Sequence, residues 1–199
     1  MAAPLILASS SPFRRTLLEN AGVAFRWEAA SIDERAIEEP LYRDGANPQD
    51  IALHLARAKA MDVASRHPAT LVIGSDQTMS LGERVFHKPA NRDEARSHLE
   101  TLSGKTHQLN SAVALVKDGT VVFETVVSAR LTVRNLSSAF IDAYLEKAGD
   151  RILKSVGAYQ LEAEGVQLFD AIEGDYFTIV GLPLLPLLAA LRREGLLDA

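Results

Sequence analysis

Two arginines, two lysines and two carboxylates carry the chemistry this sequence could do. The stretch "LILASSSPFRR", residues 5–15, sets Arg14 and Arg15 directly after a serine-rich turn and Pro12. Ser11 reads as a helix N-cap and Pro12 as the first helical residue, so both arginines fall in the first turn. That end of a helix already holds the positive pole of the backbone dipole, and a cation there is unfavourable by about 0.3–1 kcal/mol. The repulsion disappears when a multiply charged anion arrives. Unpaired backbone N–H groups, the hydroxyls of Ser9 and Ser11 and two guanidiniums together suit a polyphosphate. In another context an Arg-Arg pair is an ordinary solvated surface feature, and the strand, serine and proline around this one weigh against that reading.

The other charged candidates lie far away in sequence. Lys59 is four residues after Leu55 and four before Val63, on the apolar stripe of a predicted helix. A lysine in that place is either paired or snorkels to the surface. Lys88, in "HKP", sits in an irregular stretch held by Pro89. Asp76 ends a run of core residues and Glu34 follows a predicted strand, and the carboxyl ends of sheet strands are where α/β proteins place ligands. Two such carboxylates would hold a divalent cation, Mg²⁺ or Mn²⁺, and one could deprotonate a water. Asp76 taken alone is equally a turn or capping residue.

These side chains need elements to position them. Residues 5–8 read as a short buried strand, and the helix after it runs to Gly22. "VAFRWEAASIDERA" predicts a strand ending at Asp33 and Glu34. A helix is predicted from near Pro48 to before Pro68, with Ile51, Leu55 and Ala58 on one face. "TLVIGSDQTMSL" is a second buried strand, running into Ser75 and Asp76. "NRDEARSHLETLSG" is a helix with Asn91 and Glu94 at capping-box spacing and Gly104 as terminator. The alternating stretch 106–134 carries Asp118-Gly119, the strongest hairpin signal in the chain. "SSAFIDAYLEKAGD" is helical, "VQLFDAIEGDYFTIV" reads as a strand pair, and an amphipathic helix with Pro183 near its start closes the chain. Helices interleave with hairpins, so the expectation is α/β with a mixed parallel and antiparallel sheet and flanking helices.

Composition narrows the functional classes. The chain has 199 residues, is 47% hydrophobic, contains no cysteine and carries a formal charge of −5 at pH 7. Disulfides and thiolate metal sites are excluded, which fits a reducing, cytoplasmic setting. The basic residues are dispersed, which disfavours non-specific duplex binding, so no nucleic-acid partner is expected. No apolar run approaches a membrane span, and no basic n-region precedes one. "LSGKTH" contains the Gly104-Lys105-Thr106 tail of a P-loop, but Leu99 stands where the pattern requires glycine. His54, His67, His87, His98 and His107 show no zinc-ligand spacing and read mostly as surface or capping residues.

The ordered set "LILASSSPFRRTLL", "SIDE", "ARAKA", "VIGSDQ", "HKP", "LSGKTH", "VGAY" and "EGDYFTIVGLPL" resembles the Maf family of nucleotide pyrophosphatases, nearly end to end. The resemblance implies a single domain over residues 1–199, elongated, with two lobes around a central cleft, and often a homodimer. It also implies hydrolysis of a nucleoside triphosphate between the α and β phosphates with a divalent metal. On this likeness Asp76 is the proton acceptor, and the family's phosphate and metal positions fall on Ser9, Arg14, Arg15, Glu34, Lys59 and Lys88.

Base preference is read at three departures. Members acting on dTTP and UTP typically show "SPRR", "GADT" and "GAYGIQG", whereas this chain has Phe13, Gln77 and Glu162 at those points. These residues look like the subfamily that hydrolyses 7-methyl-GTP. A carboxylate can accept both N–H donors on the Watson–Crick edge of guanine, and an aromatic face suits a cationic methylated purine. The wording "AYQLEAEG" departs from that subfamily, so dTTP/UTP or broader specificity stays open. So does a non-catalytic nucleotide-binding regulator of septum formation.

Overall fold

The computed structural model describes residues 5–198. In chain order the elements are β1 (Leu5–Ala8), α1 (Pro12–Asn20), β2 (Arg26–Trp27), α2 (Glu34–Arg43), α3 (Pro48–Ala64), β3 (Leu71–Leu81), β4 (Arg84–Phe86), α4 (Arg92–Leu102), β5 (Thr106–Lys117), β6 (Thr120–Val133), α5 (Ser138–Ala148), β7 (Phe169–Glu173), α6 (Tyr176–Val180) and α7 (Leu184–Arg193). Three short 3₁₀ segments fill most of the stretch between α5 and β7. The strands hydrogen-bond in the order β2-β1-β3-β5-β6-β7, with β4 added to β3. Parallel pairs (β1 with β2 and with β3) coexist with antiparallel ones (β3 with β4, β6 with β7), which is the expected mixed sheet with flanking helices.

The chain condenses into two compact units, one of Met1–Gln77, Asn110–Val127 and Gly181–Ala199, the other of Thr78–Leu109 and Ser128–Val180. The core of the first unit includes Ile6, Ala8, Ala60, Val63, Val72 and Val116, with a small-residue layer of Ala52, Ala56, Ala112 and Ala114. The second unit buries Leu99, Leu102, Leu109, Leu131, Ile141 and Leu168 around Met79.

Local signals account for most element ends. Ser11 caps α1 by accepting from Arg14 N at 3.4 Å, and Pro12 follows as predicted. Asn91 accepts from Glu94 N at 2.9 Å while Glu94 accepts from Ala90 N at 2.8 Å, close to a reciprocal capping box. Asp118 and Gly119 take φ of 48° and 74°, the backbone a tight hairpin between β5 and β6 requires. Gly104 and Lys105 turn the chain from α4 into β5, with Lys105 Nζ bonded to Thr101 O, and form no phosphate loop.

Four expectations are corrected. The segment ending at Asp33 and Glu34 is a strand only at Arg26–Trp27. Asp33 instead accepts from Ala36 N at 3.1 Å and starts α2, because a side-chain cap competes successfully with extended backbone. The buried face of α3 is Ile51, Ala52, Leu55, Ala56, Lys59, Ala60 and Val63, whereas Ala58 is only partly buried. The predicted strand pair at 166–180 is one strand, β7, followed by α6, whose Thr178 N and Oγ1 are both held by Asp175. Asp76 does not end its strand but lies in the middle of β3.

Candidate active site

Gly74 sets the geometry. A Cβ there would lie 2.0 Å from Ala56 O and 2.7 Å from Ala60 N, so the absent side chain lets α3 rest directly on β3. Asp76 is two residues further along the strand and therefore on the same face as Gly74. Lys59 sits within the seated segment of α3. The two meet as a buried pair, Lys59 Nζ to Asp76 Oδ1 at 2.6 Å, with residue exposures of 9% and 7%.

Lys59 has a second partner. Glu34, the first residue of α2 and half exposed, places Oε1 2.8 Å from the same ammonium. The lysine on the apolar stripe is thus paired, as its burial requires. Two carboxylates from β3 and α2 converge on one point, while Asp76 Oδ2 has no hydrogen-bond partner among the described residues.

Arg14 lies beside this cluster. Nε donates to Gly181 O at 2.8 Å, and Nη1 donates to Ser75 O at 2.9 Å and to Ser9 Oγ at 3.4 Å. Burial pulls its pKa down from the ordinary value, opposed by the field of Asp76 and then of Glu34. Ser75 Oγ also donates to Gly181 O, at 3.2 Å. Gly181 has φ of 109°, a backbone conformation that glycine adopts readily, and its carbonyl gathers both donors. Arg14 therefore fastens three separate chain segments, leaving only Nη2 uncommitted among the described residues.

Arg15, one position on, behaves differently. Its guanidinium carbon lies 4.3 Å from the centroid of the Trp27 ring, and its side-chain donors make no hydrogen bond among the described residues. Ser9 is buried and receives Ser11 N at 3.2 Å as well as Arg14. Gln77 donates to Ser111 Oγ at 3.0 Å, and Phe13 is half-buried in the first turn of α1. Ser9, Ser11, Phe13, Arg14, Arg15, Glu34, Lys59, Asp76 and Gln77 all belong to the first unit. Lys88 and Glu162 belong to the second, where both are exposed.

Several contributors escaped the sequence reading. Trp27, Ser75 and the Gly181 carbonyl are three. Tyr42 is a fourth: its hydroxyl is buried without a partner among the described residues, and burial, with the fields of Glu38 and Asp76, raises its pKa to about 12. An isolated glycine inside a strand pattern, Gly74, was the one available signal of close backbone approach.

His98 and His107 are buried instead of lying at the surface. His107, in the second unit, bonds through Nε2 to Tyr159 Oη at 2.7 Å, and burial lowers its pKa to about 4. Neither belongs to a group of three or more metal-ligating side chains among the described residues.

Comparison with known proteins places this architecture. The profile of the Maf-like protein family matches residues 4–194. A protein of Rhizobium johnstonii named 7-methyl-GTP pyrophosphatase is 62% identical over 198 residues, covering 100% of both chains. One of the same name from Brucella abortus is 57% identical over 198 residues, again covering 100% of both. A nucleoside triphosphate pyrophosphatase of Bradyrhizobium diazoefficiens is 55% identical, covering 98% of this chain and 95% of its own. With a family profile spanning nearly every residue and full-length relatives above half identity, the chain belongs to the Maf-like protein family.

Proposed function

We propose that this protein is a nucleoside triphosphate pyrophosphatase that hydrolyses the bond between the α and β phosphates, with 7-methyl-GTP as its preferred substrate. The observation that carries the reading is the convergence of Asp76 and Glu34 on Lys59 beside Arg14, with the uncommitted Arg15 in the same helical turn. The names of the full-length relatives support a pyrophosphatase, and two of those names support the 7-methyl-GTP base.

A divalent cation such as Mg²⁺ fits the donor set. Ions of this kind are held by one or two carboxylates together with substrate phosphates, and Asp76, through Oδ2, and the half-exposed Glu34 would supply those carboxylates beside the Lys59 ammonium that both now contact. When bound, the ion would screen phosphate charge and lower the pKa of a coordinated water. Arg15 and the Nη2 group of Arg14 would bind phosphate oxygens, with Ser9 and Ser11 shaping the loop between them. Lys59 fixes Asp76 through Oδ1, which leaves Oδ2 to accept the proton of the water that attacks the α phosphorus. The bridging oxygen leaves with pyrophosphate, and its developing charge falls to Arg15 and to the Nη2 group of Arg14. Phe13, Gln77 and Glu162 are assigned to base recognition, Glu162 by accepting from the guanine edge.

The purified protein, incubated with Mg²⁺ and 7-methyl-GTP, GTP, dTTP or UTP, should release pyrophosphate and no orthophosphate. Its kcat/KM should be highest for 7-methyl-GTP. Asp76→Asn should lose about 10²–10³ in kcat, and Glu162→Gln should lose preference for the guanine base. Orthophosphate as product, or Asp76→Asn with parental turnover, would refute the mechanism; higher kcat/KM for dTTP or UTP would refute the substrate.

A further inference from the structure

The cations of the site are held in three ways. Lys59 is neutralised by two carboxylates, and Arg14 is tied to backbone carbonyls. Arg15 rests on an aromatic face instead. A guanidinium stacked on a ring uses its face for the contact and keeps its N–H donors in the plane, pointing outward. A carboxylate in that place would have cancelled the charge and competed with an incoming anion.

The platform is built into the sheet. Trp27 pairs with Leu7 of β1 in parallel register, and Glu28 N, next in the chain, donates to Leu7 O at 3.0 Å. The Trp27 backbone is thereby fixed beside the strand that leads into the Ser9 loop, and the residue remains 52% exposed. The neighbouring carboxylate is removed from competition, because Glu28 is bound by Arg66 at 2.8 Å and by His67 at 2.6 Å. An exposed tryptophan beside an unpaired cation would otherwise have no evident use.

We propose that Trp27 is a positioning residue, which holds the Arg15 guanidinium with its hydrogen-bonding edge open to the terminal phosphates of the substrate. The inference rests on the pyrophosphatase reading, but its test is separate. Trp27 is the sole tryptophan of the chain, so tryptophan emission, excited selectively over the tyrosines, reports on this ring alone. Inorganic tripolyphosphate added to the intact protein should change the emission saturably, and Arg15→Ala should weaken that response at least tenfold in concentration. In calorimetry Trp27→Leu should weaken tripolyphosphate binding by about two- to five-fold, the range of an exposed cation–π contact. Trp27→Phe should restore most of it.

With substrate, Trp27→Leu should lower kcat/KM by a similar factor, and Trp27→Phe should recover most of it. In an Arg15→Ala background Trp27→Leu should have no further effect on tripolyphosphate affinity, since the two residues act through one contact. Unchanged emission while calorimetry records binding, or an equal loss from Trp27→Leu in both backgrounds, would overturn the proposal. Absence of pyrophosphate release from every nucleotide would refute the enzymatic reading, and the tripolyphosphate titration would still decide the platform.

Discussion

Gly74→Ala tests whether close packing of α3 on β3 is what assembles the site. The new Cβ would stand 2.0 Å from Ala56 O, 2.7 Å from Ala60 N and 2.8 Å from Ala60 Cβ. Ordinary carbon–oxygen contacts begin near 3.3 Å, so α3 must withdraw by about 1 Å or more, and the obstacle is helix backbone that no rotamer change can move. A retreat of that size would carry the Lys59–Asp76 contact, now 2.6 Å, beyond hydrogen-bond range. Overpacking typically costs about 1–3 kcal/mol, and loosening a buried ion pair adds to it. The expected loss is about 3 kcal/mol or more in urea unfolding followed by circular dichroism, with kcat reduced by at least about tenfold in the fraction that stays folded. The control is Gly119→Ala, in the β5–β6 turn, where nothing lies within 4 Å of the added methyl but φ is 74°. It should cost only about 1–2 kcal/mol from the left-handed backbone and leave kcat unchanged. Gly74→Ala within about 0.5 kcal/mol of the parent, with parental turnover, would refute the reasoning.

The ion cluster and the buried histidine give two further predictions. Lys59→Met leaves Asp76 buried without its partner and should cost about 3–5 kcal/mol, whereas Glu34→Gln removes only a half-exposed partner and should cost about 1 kcal/mol or less; equal losses in urea unfolding would contradict the assignment of Lys59 to Asp76. His107 has its folded pKa lowered to about 4 by burial, below the ordinary 6.5. The unfolded chain therefore takes up a proton before the native state does, and stability falls as pH drops through the window between 6.5 and about 4. From pH 7 to pH 5 the loss at this site is about 2 kcal/mol. The His107 ring resonances should titrate with a midpoint about 4, and a midpoint near 6.5 would sink the account.

What the sequence disclosed depends on how local the cause is. The Ser11 cap, the Asp118-Gly119 turn and the Asn91–Glu94 capping spacing each act within four residues, and all three were legible. Lys59 was legible too, because a cation on an apolar stripe demands a partner even before that partner is known. Asp33 also carried a capping residue type followed by Glu34 in the first turn, but Pro40 inside α2 masked the helix. The position of Asp76 within β3 was not legible. That strand is buried on both faces almost throughout, so no alternation marks where it ends. The difference between Arg14 and Arg15 was hidden for another reason: the partners of Arg14 are the carbonyls of Ser75 and Gly181, distant segments without a side-chain signature.

That difference alters how the paired arginines should be understood. Adjacent cations at a helix N-terminus first read as two equivalent phosphate ligands. In the structure Arg14 commits Nε and Nη1 to holding together the Ser9 loop, β3 and the segment before α7, whereas Arg15 makes no side-chain hydrogen bond among the described residues. Counting the formal charges of the five side chains that the first unit contributes, Lys59 and Arg14 are balanced by Asp76 and Glu34, so one net positive charge, that of Arg15, is left. Three phosphate groups bring several negative charges to a cluster so nearly neutral. A divalent cation added to the two carboxylates would make up the difference, and this electrostatic balance is an argument for metal dependence that stands on the side chains themselves.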